Sequence, residues 1–451
     1  MAIALLLATT VASPVVRARE QQAQPSDVQP ADVRRPYRGL FGAPASSEST
    51  EALDLSASLY GAYDDNVYAD RSGVAVGGPL RRSGWFGGVE TGVTYTRHGA
   101  RVGGGIDAGV GLTTYPDEPL FTTYRAAGNL NARVSRYGNL SIAEAFVYAP
   151  EYRLGLFISP SIPGTSNPGT FADPFVNLAT DYGVFRENSY RTGTNAAFTQ
   201  TVHGHASVSA FYALSTANYD SGELNYVNQS GGATYHDRLS QNAGFHLGYS
   251  YGVGRYPNAA RFNVAGIHNI DAGLDYGRAL SVSRRTFFSF STGSALFYAS
   301  QGVTTNGSDR PFHVALLGTA NLTHEMGRTW TSAIAYQRSV SFHEGFVAPL
   351  LAQSVSASLQ GLLSRRLRFD ASTAYTKGAV SVGTTNDFDS YTANSGLEYG
   401  FTRYWAAYAD YFYYQHHLPP GFTLDPRFPS NMSRNGVRFG IRTSIPVIRA
   451  K

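Results

Sequence analysis

From residue 51 onward, apolar side chains recur at every second position in one run after another, which is the period of an extended strand with two unlike faces. The last run is the clearest. Val437, Phe439, Ile441, Thr443, Ile445 and Val447 share one face, and Arg438, Gly440, Arg442, Ser444 and Pro446 share the other. In 243–253, Ala243, Phe245, Leu247, Tyr249, Tyr251 and Val253 alternate with Gly244, His246, Gly248, Ser250 and Gly252. Run 354–363 sets Val355, Ala357, Leu359, Gly361 and Leu363 against Ser354, Ser356, Ser358 and Gln360. Charge rarely interrupts the apolar face; Glu144 is an exception that breaks the alternation of 139–149.

The connections between runs come in two kinds. Short polar turns, such as Thr96–Gly99, Ser135–Gly138, Val202–His205, Ser364–Arg366 and Thr402–Tyr404, alternate with longer segments. The longer ones fall near 64–82, 114–122, 149–189, 219–226, 254–263, 300–309, 341–350, 378–388 and 416–432. Short turns on one side and long loops on the other are the pattern of an outer-membrane barrel. Eight hairpins with a first strand near 51–63 and a last near 434–447 predict an all-β, antiparallel, up-and-down transmembrane barrel of about 18 strands (16–18). An even count returns both ends to one side.

Composition agrees with that reading. Charged residues make up 15% of the chain and aromatics 13%, with 48 Gly, 30 Tyr and 26 Phe. A soluble domain carries roughly 25% charged residues. Trp85 with Tyr95, Trp330 with Tyr336, and Trp405 with Tyr411 and Tyr413 place amphipathic rings where membrane interfaces favour them. Cys is absent, which excludes a disulfide scaffold and a Cys-based zinc site. A net charge of +4 without a basic run gives no case for nucleic acid.

The N-terminal part divides in two. Residues 2–12 (AIALLLATTVA) have the length of a signal-peptide apolar region, and Val16-Arg17-Ala18 suits cleavage. The expected organisation is a signal peptide over 1–18, a flexible periplasmic segment over 19–50 rich in Gln, Pro, Ala and Ser, and the barrel over 51–451. A basic stretch before the apolar run is missing, so the true start and cleavage site stay open.

Three motifs carry a family resemblance: Gly61-Ala62-Tyr63-Asp64-Asp65-Asn66; Leu274–Ser281 leading into Arg284-Arg285-Thr286; and Arg434-Asn435-Gly436-Val437-Arg438-Phe439-Gly440-Ile441. Over about 51–447 the chain resembles the β-barrel porin 2 type of outer-membrane family, whose members often sit in exopolysaccharide gene clusters. The resemblance implies a bacterial outer-membrane location and brings no catalytic residues. Gly436, Phe439 and Ile441 also resemble the signal read by the barrel-assembly machinery, although Arg449-Ala450-Lys451 follows in place of a terminal aromatic.

Catalytic patterns are incomplete. His324-Glu325 and His343-Glu344 begin like a zinc-protease helix but lack the second His, and no Gly-x-Ser-x-Gly elbow occurs. His203-x-His205 and His416-His417 read as metal ligands or as plain turn histidines, and Asp64-Asp65 as a calcium site or a solvated loop. No enzyme activity, metal or other cofactor is expected. The useful chemistry is the set of charges on the face opposite the apolar one. Strand phase assigns Glu90, Asp107, Arg125, Arg133, Asp271, Asp275, Arg366, Arg368, Asp370, Glu398, Asp410, Arg438 and Arg442 to the lumen. They either line a wet pore or pair to stiffen the wall. The longest loop, 149–189, is the expected constriction, with Phe157, Phe171 and Phe175 folded against the barrel.

The leading expectation is a channel for diffusion or export of hydrophilic solutes, with exopolysaccharide as one cargo. The partners are outer-membrane lipid, the barrel-assembly machinery and a polar solute or polysaccharide, with no nucleic acid. A structural barrel that engages envelope partners is the alternative, and an outer-membrane enzyme is the third. An open lumen favours the first, a filled one the second.

Overall fold

The computed structural model describes residues 50–66, 83–115, 120–153, 183–222, 224–257, 264–280, 285–298, 313–327, 329–342, 350–380, 387–418 and 431–450. Within them the chain forms 18 strands. The first six are β1 (Glu51–Asp64), β2 (Gly84–His98), β3 (Val102–Thr114), β4 (Phe121–Arg133), β5 (Gly138–Arg153) and β6 (Gly183–His203). Next come β7 (Ala206–Tyr219), β8 (Tyr226–Arg238), β9 (Ala243–Arg255), β10 (Val264–Ala279), β11 (Thr286–Tyr298) and β12 (His313–Met326). The last six are β13 (Trp330–Ser341), β14 (Leu350–Leu362), β15 (Leu367–Val380), β16 (Asp387–Gly400), β17 (Trp405–His417) and β18 (Asn431–Ala450).

Every strand pairs antiparallel with its sequence neighbours, and β1 pairs with both β2 and β18, so the sheet closes into a barrel of 18 strands. The expected first and last strands are therefore partners. β18 runs three residues beyond the expected 447, to Ala450, which lies opposite Glu51. Arg449 takes part through an ion pair with Asp54.

The short turns stop their strands by a repeated device. Ser240 Oγ accepts the amides of Asn242 (3.2 Å) and Ala243 (3.0 Å). Ser364 Oγ does the same for Arg366 (3.2 Å) and Leu367 (3.1 Å), and Thr402 Oγ1 for Tyr404 (3.2 Å) and Trp405 (3.0 Å). A hydroxyl that satisfies two backbone donors locally takes them off the ladder and fixes a tight reversal. The β12–β13 turn instead uses Gly327 at φ 67°, a conformation without penalty only for a residue lacking Cβ.

Register decides facing, because directly opposed residues of antiparallel strands share a side. Leu59, Val89, Ile106, Leu274, Ile334, Val355, Phe439 and Ile441 are all exposed and form the outward apolar surface. Rings band it: Tyr124, Tyr148 and Tyr190 stand side by side on β4, β5 and β6 with centroids 5.7 and 5.0 Å apart. No helix among the described residues is long and apolar enough to cross a membrane; this wall is made of strands.

Candidate functional site

On the side of the wall opposite that apolar surface, the charges assigned to the lumen gather in three groups among the described residues. The first spans β15 to β18 and continues onto β1 and β2. Asp370, Gly396, Asp410, Arg438 and Ala62 lie in one row of opposed residues. Gly396 has no side chain to fill the row, so the two aspartates lean over it. A Cβ there would stand 2.8 Å from Asp410 Oδ1 and 3.0 Å from Asp370 Oδ2. Arg442 Nε lies 3.3 Å from Glu398 Oε1, and Glu398 is opposed to Arg368.

Both arginines of β18 rest on rings. The Arg438 guanidinium carbon is 4.6 Å from the Tyr60 ring centre, and that of Arg442 is 4.4 Å from Tyr408. The rings lie flat along the wall because glycines are beside them: a Cβ on Gly440 would meet the Tyr408 hydroxyl at 2.9 Å. Tyr408 is tied to Ser58 (2.9 Å) and Tyr60 to Thr113 (3.0 Å). A ring face orients a guanidinium while its N–H edge can still donate to acceptors beside it. Glu90 is opposed to Ser58 in the same patch.

The second group is smaller. On β3 and β4, Arg125 Nε approaches Asp107 Oδ1 at 4.0 Å, and Thr94 donates to Asp107 at 2.6 Å. Arg133 is exposed at the turn end of β4, and Arg366 is exposed in the β14–β15 turn, not on a strand.

The third group centres on His246 of β9, whose side chain is fully covered. Its Nδ1 is 2.7 Å from Asp275 Oδ2 and its Nε2 is 3.3 Å from Asp271 Oδ1. His236 of β8 comes within 3.4 Å of Asp275. The imidazole sits over Gly273, the residue between the two aspartates in the inward row, where a Cβ would stand 2.7 Å from Nε2. Sequence reading found both aspartates and missed the histidine that joins them. The available signal was the Asp-x-Gly-x-Asp spacing of 271–275 beside a strand in which His246 stands between Gly244 and Gly248. β10 is nine strands round the ring from β1, so this acidic pair lies across the barrel from Arg438 and Arg442.

Away from the termini the inward side chains are covered: Leu350, Ser354, Ser390, Tyr414 and Met432 are all buried. One covering group is visible. Phe342, just past β13, packs on β9. A Cβ on Gly254 would stand 2.9 Å from its Cδ1, and one on Gly252 3.7 Å from its Cε2. Four strand spacings of about 4.8 Å separate β9 from β13 along the wall, far more than a Phe side chain reaches. Ser341, one residue earlier, is still paired with Leu350 on β14, so the Phe342 ring projects inward from the wall to meet the inner face of β9. Phe157, Phe171 and Phe175, expected at the constriction, lie outside the described residues.

Asp64 and Asp65 are neither a solvated loop nor free for calcium. Asp64 and Arg434 form a buried ion pair across the β1–β18 seam, with Arg434 Nε donating to Asp64 Oδ2 at 2.8 Å. Asp64 Oδ1 accepts the Asn66 amide at 2.7 Å. Asp65 accepts from the Asn435 amide (2.7 Å) and from its side chain (2.8 Å). Two of the motifs carrying the family resemblance thus clasp each other. Beside them Gly436 leaves room for the Phe412 ring, while Phe439 and Ile441 are exposed on the outer face. Other histidines have ordinary partners: His205 with Asp237 (2.7 Å), His324 with Thr286 (2.8 Å) and His416 with Tyr414 (2.7 Å). Among the described residues no group of three or more His, Cys, Asp or Glu is arranged to hold a metal ion. His343 and Glu344 lie outside the described residues.

No family model and no curated protein matches the chain. Among solved structures it is similar to OccK2 (OpdF) of Pseudomonas aeruginosa, solved in complex with glucuronate, at 12% identity, 88% of this chain, 98% of that chain and TM-score 0.43. OpdL of Pseudomonas aeruginosa gives 13%, 89%, 100% and 0.42. The outer membrane protein OprD from Pseudomonas aeruginosa gives 14%, 88%, 94% and 0.40.

Proposed function

We propose that the chain is a bacterial outer-membrane channel for small hydrophilic solutes. The observation that carries this is the division of the wall. Its outward face is apolar and ringed, and its inward face holds charges that are costly to bury without water or partners. With Arg366 in a turn, the residues assigned to the lumen that lie on strands are seven acids and five arginines, so both signs are present. Arg438 and Arg442 on β18 sit eight strands round the ring from Asp271 and Asp275 on β10, so charges of both signs lie on opposite parts of the wall. A two-signed interior suits neutral or zwitterionic solutes better than a strongly cationic or anionic one. Exopolysaccharide as cargo rests on the family resemblance alone.

The export signal of 1–18, the lead-in of 19–50, and the reading of Gly436, Phe439 and Ile441 by the barrel-assembly machinery belong to the same proposal. The second reading is a closed structural barrel. It is favoured by the buried inward side chains away from the termini and by the Phe342 ring seated on the inner face of β9.

The two readings separate in a planar bilayer. A channel gives discrete conductance steps that added glycine or uncharged sugars reduce by occupying the lumen. Insertion of folded protein without steps overturns the channel and leaves the structural barrel.

A further inference from the structure

Three of the short turns are built alike. Val134–Gly138, Leu363–Leu367 and Phe401–Trp405 each read apolar, hydroxyl, Arg, then Tyr or Arg. In each, the first two amides donate to the carbonyl of the fifth residue, at 3.0 and 3.3 Å, 2.9 and 3.2 Å, and 3.2 and 3.3 Å. The hydroxyl in second place accepts the amide of the fourth residue at 3.2 Å in all three. Backbone and one hydroxyl thus close the turn without the first and third side chains. Those side chains point away: Val134 and Leu363 are each 55% exposed and Phe401 41%, with Arg136, Arg365 and Arg403 exposed beside them.

Two of the three turns are neighbours. Gly400, just before Phe401, donates its amide to the Arg366 carbonyl at 2.8 Å. That junction brings Arg365, Arg366 and Arg403 together at the turn end of the barrel. Neither turn contains an acid, and Asp370 and Glu398, on the strands that leave them, lie in the inward rows. The Arg403 guanidinium carbon is 4.6 Å from the Tyr404 ring centre. On the outward side, Tyr399 and Trp405 are exposed next to the same turns.

We propose that this patch binds the headgroups of anionic phospholipids in the inner leaflet, with Arg365, Arg366 and Arg403 holding phosphate. The short turns of an outer-membrane barrel face the periplasm, so they meet that leaflet. An exposed Leu or Phe beside an exposed Arg suits the boundary between acyl chains and headgroups. The apolar group enters the first, and the guanidinium stays with the phosphates. Every basic residue of the three turns is Arg, whose paired N–H groups match two phosphate oxygens. A soluble acidic protein would match the charge but gives no role to the apolar side chain repeated beside it. The proposal needs membrane insertion and is independent of whether the lumen conducts.

Trp405 reports on the patch. Trp85 and Trp330 are replaced by Phe, and the full barrel is refolded into phosphatidylcholine vesicles that contain brominated lipid. Brominated phosphatidylglycerol is expected to quench Trp405 with a several-fold higher apparent association than brominated phosphatidylcholine. The preference should vanish in Arg365→Gln/Arg366→Gln/Arg403→Gln, with folding checked by heat-modifiable gel mobility. Without any Arg substitution, it should also fade as sodium chloride is raised. A barrel keeping Trp85 alone, at the loop end of β2, should not respond to the triple substitution. Equal quenching by the two lipids, a preference indifferent to salt, or one that survives in the folded triple variant overturns the proposal. So does competition by inorganic phosphate beyond that of chloride at matched ionic strength, which would make free phosphate the ligand.

Discussion

Replacing Arg434 by Met removes the guanidinium from the β1–β18 clasp and leaves Asp64 behind. Asp64 is 0% exposed and Arg434 1% exposed, so water does not replace the lost partner. Breaking a buried ion pair by removing one side costs about 3–5 kcal/mol, most of it the unpaired charge left inside. Asp64 keeps the bond from the Asn66 amide, which puts the expected loss at the low end, about 3 kcal/mol. That corresponds to a change on the order of a hundredfold in the folding equilibrium. The same seam supplies its own control. Arg449 and Asp54 pair near its other end with side chains 31% and 33% exposed, where an ion pair contributes at most about 1 kcal/mol. Urea unfolding of the barrel refolded into vesicles, followed by tryptophan fluorescence and gel mobility, measures both variants. Adding Asp64→Leu to Arg434→Met should recover a large part of the loss, since no buried charge remains. Equal losses for Arg434→Met and Arg449→Met, or no recovery in the double variant, would refute burial as the source of the effect.

Further outcomes follow from facing and from the interior. Ile441→Arg is expected to destabilise the barrel by about 2–4 kcal/mol, as a cation facing mid-bilayer lipid does, while Ser444→Arg on the inward side assembles normally; equal yields of folded protein would contradict the facing. Phe342→Ala should raise single-channel conductance, and Gly254→Val should do the same by displacing the ring; unchanged conductance in both removes Phe342 from the pore. Neutralising Arg438 and Arg442 together leaves Asp370, Glu398 and Asp410 in excess on that wall, so the reversal potential in a salt gradient should move towards cation preference. An unmoved potential means ions do not pass that wall.

Alternation made the strands legible before any coordinates, because the period of two is a property of consecutive residues. The β18 faces, the eight short turns and the count near 18 all came from such local signals. What escaped was contact between distant parts of the chain. Asp64-Asp65-Asn66 has the composition of a solvated loop, and its partner Arg434 is 370 residues away. His246 looked like one more inward side chain, since only pairing of β9 with β10 sets it between two aspartates. Phe342 gave no signal, because it follows the end of a strand and its seat is the absence of side chains at Gly252 and Gly254. Arg438 and Arg442 could be assigned to a face but not to their tyrosines, which depend on the register of β18 with β1 for Tyr60 and with β17 for Tyr408.

That seam also orders events in time. Every other junction joins strands that are neighbours in sequence, whereas β1 and β18 meet only after some 400 residues have been made and positioned. Until then each presents an open row of amides and carbonyls, the kind of edge on which another chain can add. β18 carries Pro446 opposite Asp54, at the place where its register with β1 slips. Proline offers no amide to a foreign strand, and a slipped register bends the edge. The late-closing edge is thus guarded near the termini, and the Asp64–Arg434 clasp at its other end can form only once the correct two strands have met.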